Sequence, residues 1–432
     1  MMTKNNFNEG RFKEGFLPSL LFKFIIYIIY VMASFYQLVF KKPKTYFIKL
    51  PQKEDNFYFD IIWPLGFVYS RNFKEFSYKH LMEHLISTLV KEKISSKDIF
   101  KGFVSDEDIH FSCVLNKENI NLLPSILKAI FSSSLSDFQK YFDREKKLVE
   151  DEEIKKQNDF YSRIKDIAIK AVLDKKCLYY KCFLNKPLSY KFGAKELFNY
   201  YQKFIINEPI FFIGGNQLPK YFVNILTDFY RLKTFISHDA LNRVLPCKIK
   251  SGLRKTIRLK KEYQFKGACV FIILEAPANF QERVAFNFLS DILFHSQNKT
   301  DLSFYEFLFK RGFYNIRRDF VNYKSFSLLL ISINTNEKRI KELILALKEF
   351  FEQLSKNKIN NQIVLTIKKL FLDYYKNDFS TNQRYEILIG HLLNYRKYRD
   401  IIPVIQKLNS DNLQKLTQDY LSFQKLNIIV ER

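Results

Sequence analysis

Histidine, tryptophan and paired cysteines are what this chain has least of. Its 432 residues hold six His, one Trp and five Cys, and no C-x-x-C occurs. An odd, scattered set (Cys113, Cys177, Cys182, Cys247, Cys269) in a chain of this length argues against a disulfide framework and predicts reduced thiols. Cys177 and Cys182 also lack the spacing of a zinc knuckle. No RNA- or DNA-binding motif accompanies the net charge of +25, and the lysines are spread along the chain. A nucleic-acid partner is therefore not expected. A positive field of this size favours acidic substrates or an anionic membrane surface. The plentiful Lys, Asn, Ile and Phe run throughout and read as a compositional bias. At 47 % hydrophobic, the chain has enough apolar residues for two or three domains.

Against six histidines in all, two at His80 and His84 stand out, with Glu83 between them in His80-Leu81-Met82-Glu83-His84. Residues four apart share one helix face, so both imidazoles can reach one metal ion. Glu83 points close to the same side, where it can hold a water and take its proton. The pattern is H-x-x-E-H, and it suggests a zinc-dependent hydrolase, most readily a peptidase.

Catalytic zinc takes three protein ligands and keeps one position open. The next helical stretch with suitable chemistry runs from Asp143 to Ile154, where Glu145 and Glu152 lie two turns apart on one face. One of the two can bind the metal while the other orients a histidine or a water.

Together, H-L-M-E-H and the later D-R-E-x-x-x-V-x-x-E (Asp143 to Glu152) resemble the insulinase/pitrilysin zinc metallopeptidases. The smaller two-domain members of that family include the mitochondrial processing peptidase subunits. The resemblance implies His80, His84 and Glu152 as Zn²⁺ ligands, Glu83 as general base and Glu145 as the supporting glutamate. Glu153 and Glu150 are the fallback ligands if the register slips. Weaker likenesses lie at 207–216, at 303–313 and from Leu408 to Val430, so the resemblance covers roughly Thr45 to the C-terminus.

Three departures bear on substrate binding. The family's N-A-x-T and E-x-T-x-Y cleft strand corresponds here to Lys101–Val104 and Glu107–Phe111, without the asparagine and threonines; main-chain pairing with a peptide needs none of them. The substrate-gripping arginine and tyrosine of the family's second half fall on Leu308 and Asn315, with Arg311 and Tyr314 nearby. The resemblance then implies a homologous partner subunit carrying that pair, or a homodimer. Finally, Lys79 precedes His80, where its charge is unhelpful to a dication unless it points to solvent.

The expected fold is α+β: two similar half-domains, each a mixed sheet with helices, forming a cleft that holds the peptide. Strands are expected at 46–50, 57–63, 108–115, 210–213, 264–274 and 326–334. Helices are expected at 78–90, 121–131, 135–154, 195–204, 279–295 and 337–355. The boundaries drawn are an N-terminal extension 1–44, a zinc-bearing half 45–237, a linker 238–258 and an inactive half 259–432 that lacks H-x-x-E-H.

An uncharged run from Phe24 to Phe40 completes the picture. Its length predicts a single-pass membrane helix over about residues 20–40. An in-plane helix, a partner-buried helix or a signal peptide are the alternatives, the last without a small-x-small cleavage site. Lysines flank both ends. Their slight excess after the run, together with the unpaired cysteines, tips the body toward the cytoplasm.

Overall fold

The structure is a computed structural model. It describes residues 36–50, 56–94, 100–116, 118–183, 189–237, 247–258, 267–294, 303–373, 385–386, 388–390, 392–393 and 401–432.

The first half builds a six-stranded sheet from β1 (Tyr36–Lys41), β2 (Lys44–Lys49), β3 (Phe57–Trp63), β4 (Phe100–Val104), β5 (Ile109–Leu115) and β6 (Ile210–Gly215), in the order β1-β2-β6-β3-β5-β4. Its helices are α1 (Phe73–Lys93), α2 (Leu123–Phe131), α3 (Leu135–Asn158), α4 (Phe160–Val172), α5 (Ala194–Ile205) and α6 (Lys220–Leu232). The second half contributes β7 (Arg254–Ile257), β8 (Ala268–Glu275), α7 (Phe280–Phe294), α8 (Phe304–Phe309), β9 (Asn315–Asn322) and β10 (Ser327–Thr335). It ends with α9 (Ile340–Lys356), α10 (Asn361–Asp373), α11 (Ile402–Lys407), α12 (Ser410–Tyr420) and β11 (Asn427–Glu431). Its five strands are ordered β7-β11-β8-β10-β9.

Set β1 aside and the two sheets match strand for strand. β2-β6-β3-β5-β4 answers β7-β11-β8-β10-β9, the first pair of each parallel and the rest antiparallel. Both central strands, β3 and β8, lead into the long helix that follows them, α1 or α7. The α+β architecture of two similar half-domains expected from the sequence is the one observed.

Both faces of each sheet are covered. On β8, Val270, Ile272 and Leu274 pack in one cluster with α7, while Cys269, Phe271 and Ile273 pack in another with Ile164, Ala168 and Val172 of α4. That second layer comes from the first half of the chain. Reciprocally, Leu388, Ile389 and Leu392 of the second half cover Ile48, Ile62 and Phe212 of the first sheet. Strands buried on both faces read as continuous apolar runs, as Ala268–Leu274 does. Each half thus lends a segment to the other's core, which ties the two halves together.

Three expectations need correcting. The membrane helix over residues 20–40 does not stand: among the described residues no helix is long and apolar enough to cross a membrane. Tyr36–Lys41 is instead a strand, paired antiparallel with β2. An apolar, aromatic run without a 3.6 period suits an extended strand as well as a helix. The rest of that run lies outside the described residues. Second, Arg254–Ile257, assigned to the linker, forms β7 and pairs with β11. Third, not all thiols are free: Cys177 and Cys247 form a disulfide across 70 residues. The two are brought together by tertiary pairing, since Leu173 bridges Ile249 and the Asp174 amide donates to the Lys248 carbonyl. Cys113, Cys182 and Cys269 remain thiols.

Candidate metal centre

Helix α1 begins cleanly, with the Asn72 side chain accepting from the Glu75 amide at 3.0 Å, and Lys91 and Lys93 lie in its last turn. Leu81, Met82, Leu85, Ile86, Leu89 and Val90 are buried in the core of the first half, which fixes the helix's rotation. His80 and His84 consequently project toward α3. That helix opens with a reciprocal cap between Ser134 and Asp137 and is long enough to carry both Glu145 and Glu152 past α1.

His80 Nε2 lies 3.5 Å and His84 Nε2 3.4 Å from the same oxygen, Glu152 Oε2. The two rings are edge to face with centroids 5.1 Å apart. Among the described residues, His80, His84 and Glu152 are the one trio of His, Cys, Asp or Glu able to hold a metal ion, their donor atoms all within 4.8 Å of one another. Donor–donor gaps of 3.4–3.5 Å are long for hydrogen bonds. They fit the edge of a tetrahedron with metal–ligand bonds of about 2.1 Å, roughly 3.4 Å long. Two imidazoles and one carboxylate fit a metal site by donor type as well as by spacing.

Around this trio the polar groups are ordered. Glu83, almost fully buried, accepts from Ser87 Oγ at 2.8 Å and sits 3.8 Å from His84 Nε2. Burial raises its pKa. Gly102 of the outer strand β4 faces this carboxylate; a Cβ there would collide with Glu83 Oε1 and Ser87 Oγ. Glu145 lies 3.6 Å from His84 Nδ1 and accepts from Thr88 Oγ1 at 2.9 Å and from the Arg144 guanidinium. Its burial opposes ionisation, but the bonds from His84, Arg144 and Thr88 prevail and lower its pKa. Burial likewise opposes charge on His84, yet Glu145, Glu83 and Glu152 together raise its pKa. His80 goes the other way: burial, then the neighbouring His84, depress it to about 4, so its ring is a neutral donor at neutral pH. In a chain of net charge +25 this pocket gathers carboxylates, which favours a cation locally.

The other singled-out residues fall elsewhere. Glu153 is buried outside the trio and its charge acts on Tyr190; Glu150 is exposed. Lys79 does not point to solvent: it is buried and donates to the Gly66 carbonyl at 2.7 Å, and burial lowers its pKa to about 7. Leu308 is fully buried in the second core. Arg311 is bound to Glu349 and stacked on Phe307, and Tyr314 packs on Phe309. One contact has no counterpart in the sequence argument: Tyr190 Oη lies 2.8 Å from His80 Nδ1. It is 110 residues from its partner and no local spacing announces it.

No family model and no curated protein matches the chain. Solved structures do. A protease from Helicobacter pylori superposes with a TM-score of 0.68 at 14 % identity, over 92 % of this chain and 99 % of that one. An M16 peptidase inactive domain from Pseudomonas fluorescens gives 0.65 at 11 %, over 92 % and 97 %. The periplasmic protease PqqL from Escherichia coli gives 0.66 at 13 %, over 90 % of this chain and 44 % of its own length. At these identities the likeness is one of fold: the chain has the two-half architecture of M16 peptidases, a fold that active and inactive proteins share.

Proposed function

We propose that this chain is a zinc metallopeptidase of the insulinase/pitrilysin type. His80, His84 and Glu152 hold Zn²⁺, and Glu83 is the general base. The observation that carries this is the meeting of two imidazole nitrogens on one Glu152 oxygen, with a buried carboxylate beside them and the free edge of β4 alongside. Bound zinc would supply Lewis acidity, polarising a peptide carbonyl and lowering the pKa of a water. The rest is done by the chain. A peptide pairs with β4 through its main chain. Gly102, lacking a side chain, leaves the Glu83 carboxylate room to lie against β4, beside the paired peptide. Glu83 removes a proton from the attacking water and delivers it to the departing amine, its raised pKa suiting it to both transfers. Glu145 fixes the His84 ring from its Nδ1 side.

Metal analysis of the purified protein tests this. About one equivalent of zinc is expected in the wild type and none in His84→Ala; equal zinc in both would refute the site.

A second reading is favoured by Leu308 and Arg311. With one buried and the other tied to Glu349, the second half offers, among the described residues, no free arginine at the expected place. In this reading the chain binds the metal but turns over peptide only with a homologous partner, or with a second copy, that contributes the grip. PqqL, at about twice this chain's length, and the inactive M16 domain make such an arrangement reasonable. Cleavage by the chain shown to be monomeric, abolished by Glu83→Gln, would exclude the partner requirement; zinc binding by the monomer without cleavage would support it.

A further inference from the structure

We infer that Tyr190 is a positioning residue for the metal centre, setting the tautomer and rotation of His80; this rests on the metal site proposed above. An imidazole can present its Nε2 lone pair to a metal only if the ring proton sits on Nδ1, and a fixed acceptor at Nδ1 secures that tautomer. His84 has Glu145 on its Nδ1 side, 3.6 Å away. Among the described residues His80 has no carboxylate there. Its Nδ1 meets the Tyr190 hydroxyl at 2.8 Å while Nε2 faces Glu152; with a metal on Nε2 the ring proton lies on Nδ1 and the phenol oxygen accepts it.

The phenol is well placed to hold an orientation. Tyr190 is 2 % exposed and its ring packs on Phe192, whose own ring lies edge-on to Tyr78 of α1 at 4.6 Å between centroids. Tyr78 in turn bonds Glu196 of α5. The segment entering α5 is thereby stacked on the helix that carries both histidines, and the tyrosine hydroxyl is held at a fixed point relative to that helix. The two imidazoles are buttressed by different chemistries: a carboxylate behind His84 and a neutral hydroxyl behind His80. A neutral acceptor orients the ring without adding negative charge to a pocket that already holds Glu83, Glu145 and Glu152.

The test is zinc affinity, measured by competition with a chromophoric chelator, and the visible spectrum of the Co²⁺-substituted protein. The proteins compared are wild type, Tyr190→Phe, Ile333→Val and His80→Ala. Tyr190→Phe removes one oxygen from a buried ring and is expected to weaken zinc about 10- to 100-fold and to shift the cobalt bands, with the melting temperature of the metal-free protein unchanged. Ile333→Val, which loosens the core of the second half and touches none of the groups named here, is expected to lower the metal-free melting temperature and leave affinity unchanged. If Tyr190→Phe binds zinc as tightly as wild type while His80→Ala does not bind, Tyr190 has no positioning role and the metal site stands. If Tyr190→Phe loses affinity only in step with metal-free stability, as Ile333→Val then would too, the effect is packing and the proposal is overturned. If the wild type itself binds no zinc, the metal site fails, and Tyr190 with it.

Discussion

The two halves share a sheet plan and differ at one helix. In each, the central strand leads to a long helix, and in the first half that helix, α1, packs beside β4, the outermost strand of its sheet. On α1, Glu83 and Ser87 fill the space that a side chain on Gly102 of that strand would take, and the histidines face α3. On α7, Asp291 is bound at 2.7 Å by Arg318 of β9, which also donates to the Ser290 carbonyl. The same architecture thus carries a carboxylate held by a hydroxyl beside two imidazoles in one half and one paired with a guanidinium in the other. Chemistry here comes from side chains mounted on a fold, and the fold by itself does not predict it. This is also why structural likeness to both active and inactive M16 proteins leaves the question to the residues.

The sharpest way to break this comparison is Glu83→Gln. Peptide hydrolysis should fall by about 10²- to 10⁴-fold, the usual weight of a general base, while zinc content is retained. Unchanged turnover in a steady-state assay would remove Glu83 from the mechanism. Next is Gly102→Val. A side chain there displaces Glu83 and Ser87, and kcat should drop by about 10²-fold for a displacement near 1 Å, with the metal still bound.

A smaller effect separates the halves by their buried acids. Glu83 has a hydroxyl partner, whereas both oxygens of Glu431, on the fully buried last strand, have none among the described residues. Burial lifts the Glu431 pKa to about 9. Below its ordinary value near 4.5 both folded and unfolded chains hold the proton, and no stability is lost. Between there and about 9 the unfolded chain releases it and the folded one does not, so stability declines as pH rises. Glu431→Gln should abolish that slope and add more stability at pH 8 than at pH 5. Urea denaturation at pH 5 and pH 8 reads it, and an equal gain at both values would contradict the assignment. Smallest is Arg318→Met. Its ion pair with Asp291 is partly exposed, so about 1 kcal/mol of stability should go, with zinc affinity and hydrolysis unaffected.

Much of the architecture was legible because its signals are local. The i, i+4 spacing of His80 and His84 and the seven-residue spacing of Glu145 and Glu152 put each pair on one helix face, and the described α1 and α3 carry them so. The strands at 57–63 and 327–335 announced themselves by β-branched and aromatic content. What was not legible depends on the chain returning from far away. Tyr190 reaches His80 across 110 residues, Cys177 meets Cys247 across 70, and α4 crosses to the other half's sheet. Strand β9 escaped because its Arg317, Arg318 and Asp319 obscure the alternation. The apolar run ending at Phe40 misled for the opposite reason: a strong signal of hydrophobicity carried no period to distinguish strand from helix.

The most direct measurement is X-ray absorption at the zinc edge of the purified protein. The account predicts a first shell of nitrogen and oxygen at about 2.0–2.1 Å with the outer scattering of two imidazoles. Sulfur at about 2.3 Å, or a single imidazole, would contradict a centre built from His80, His84 and Glu152.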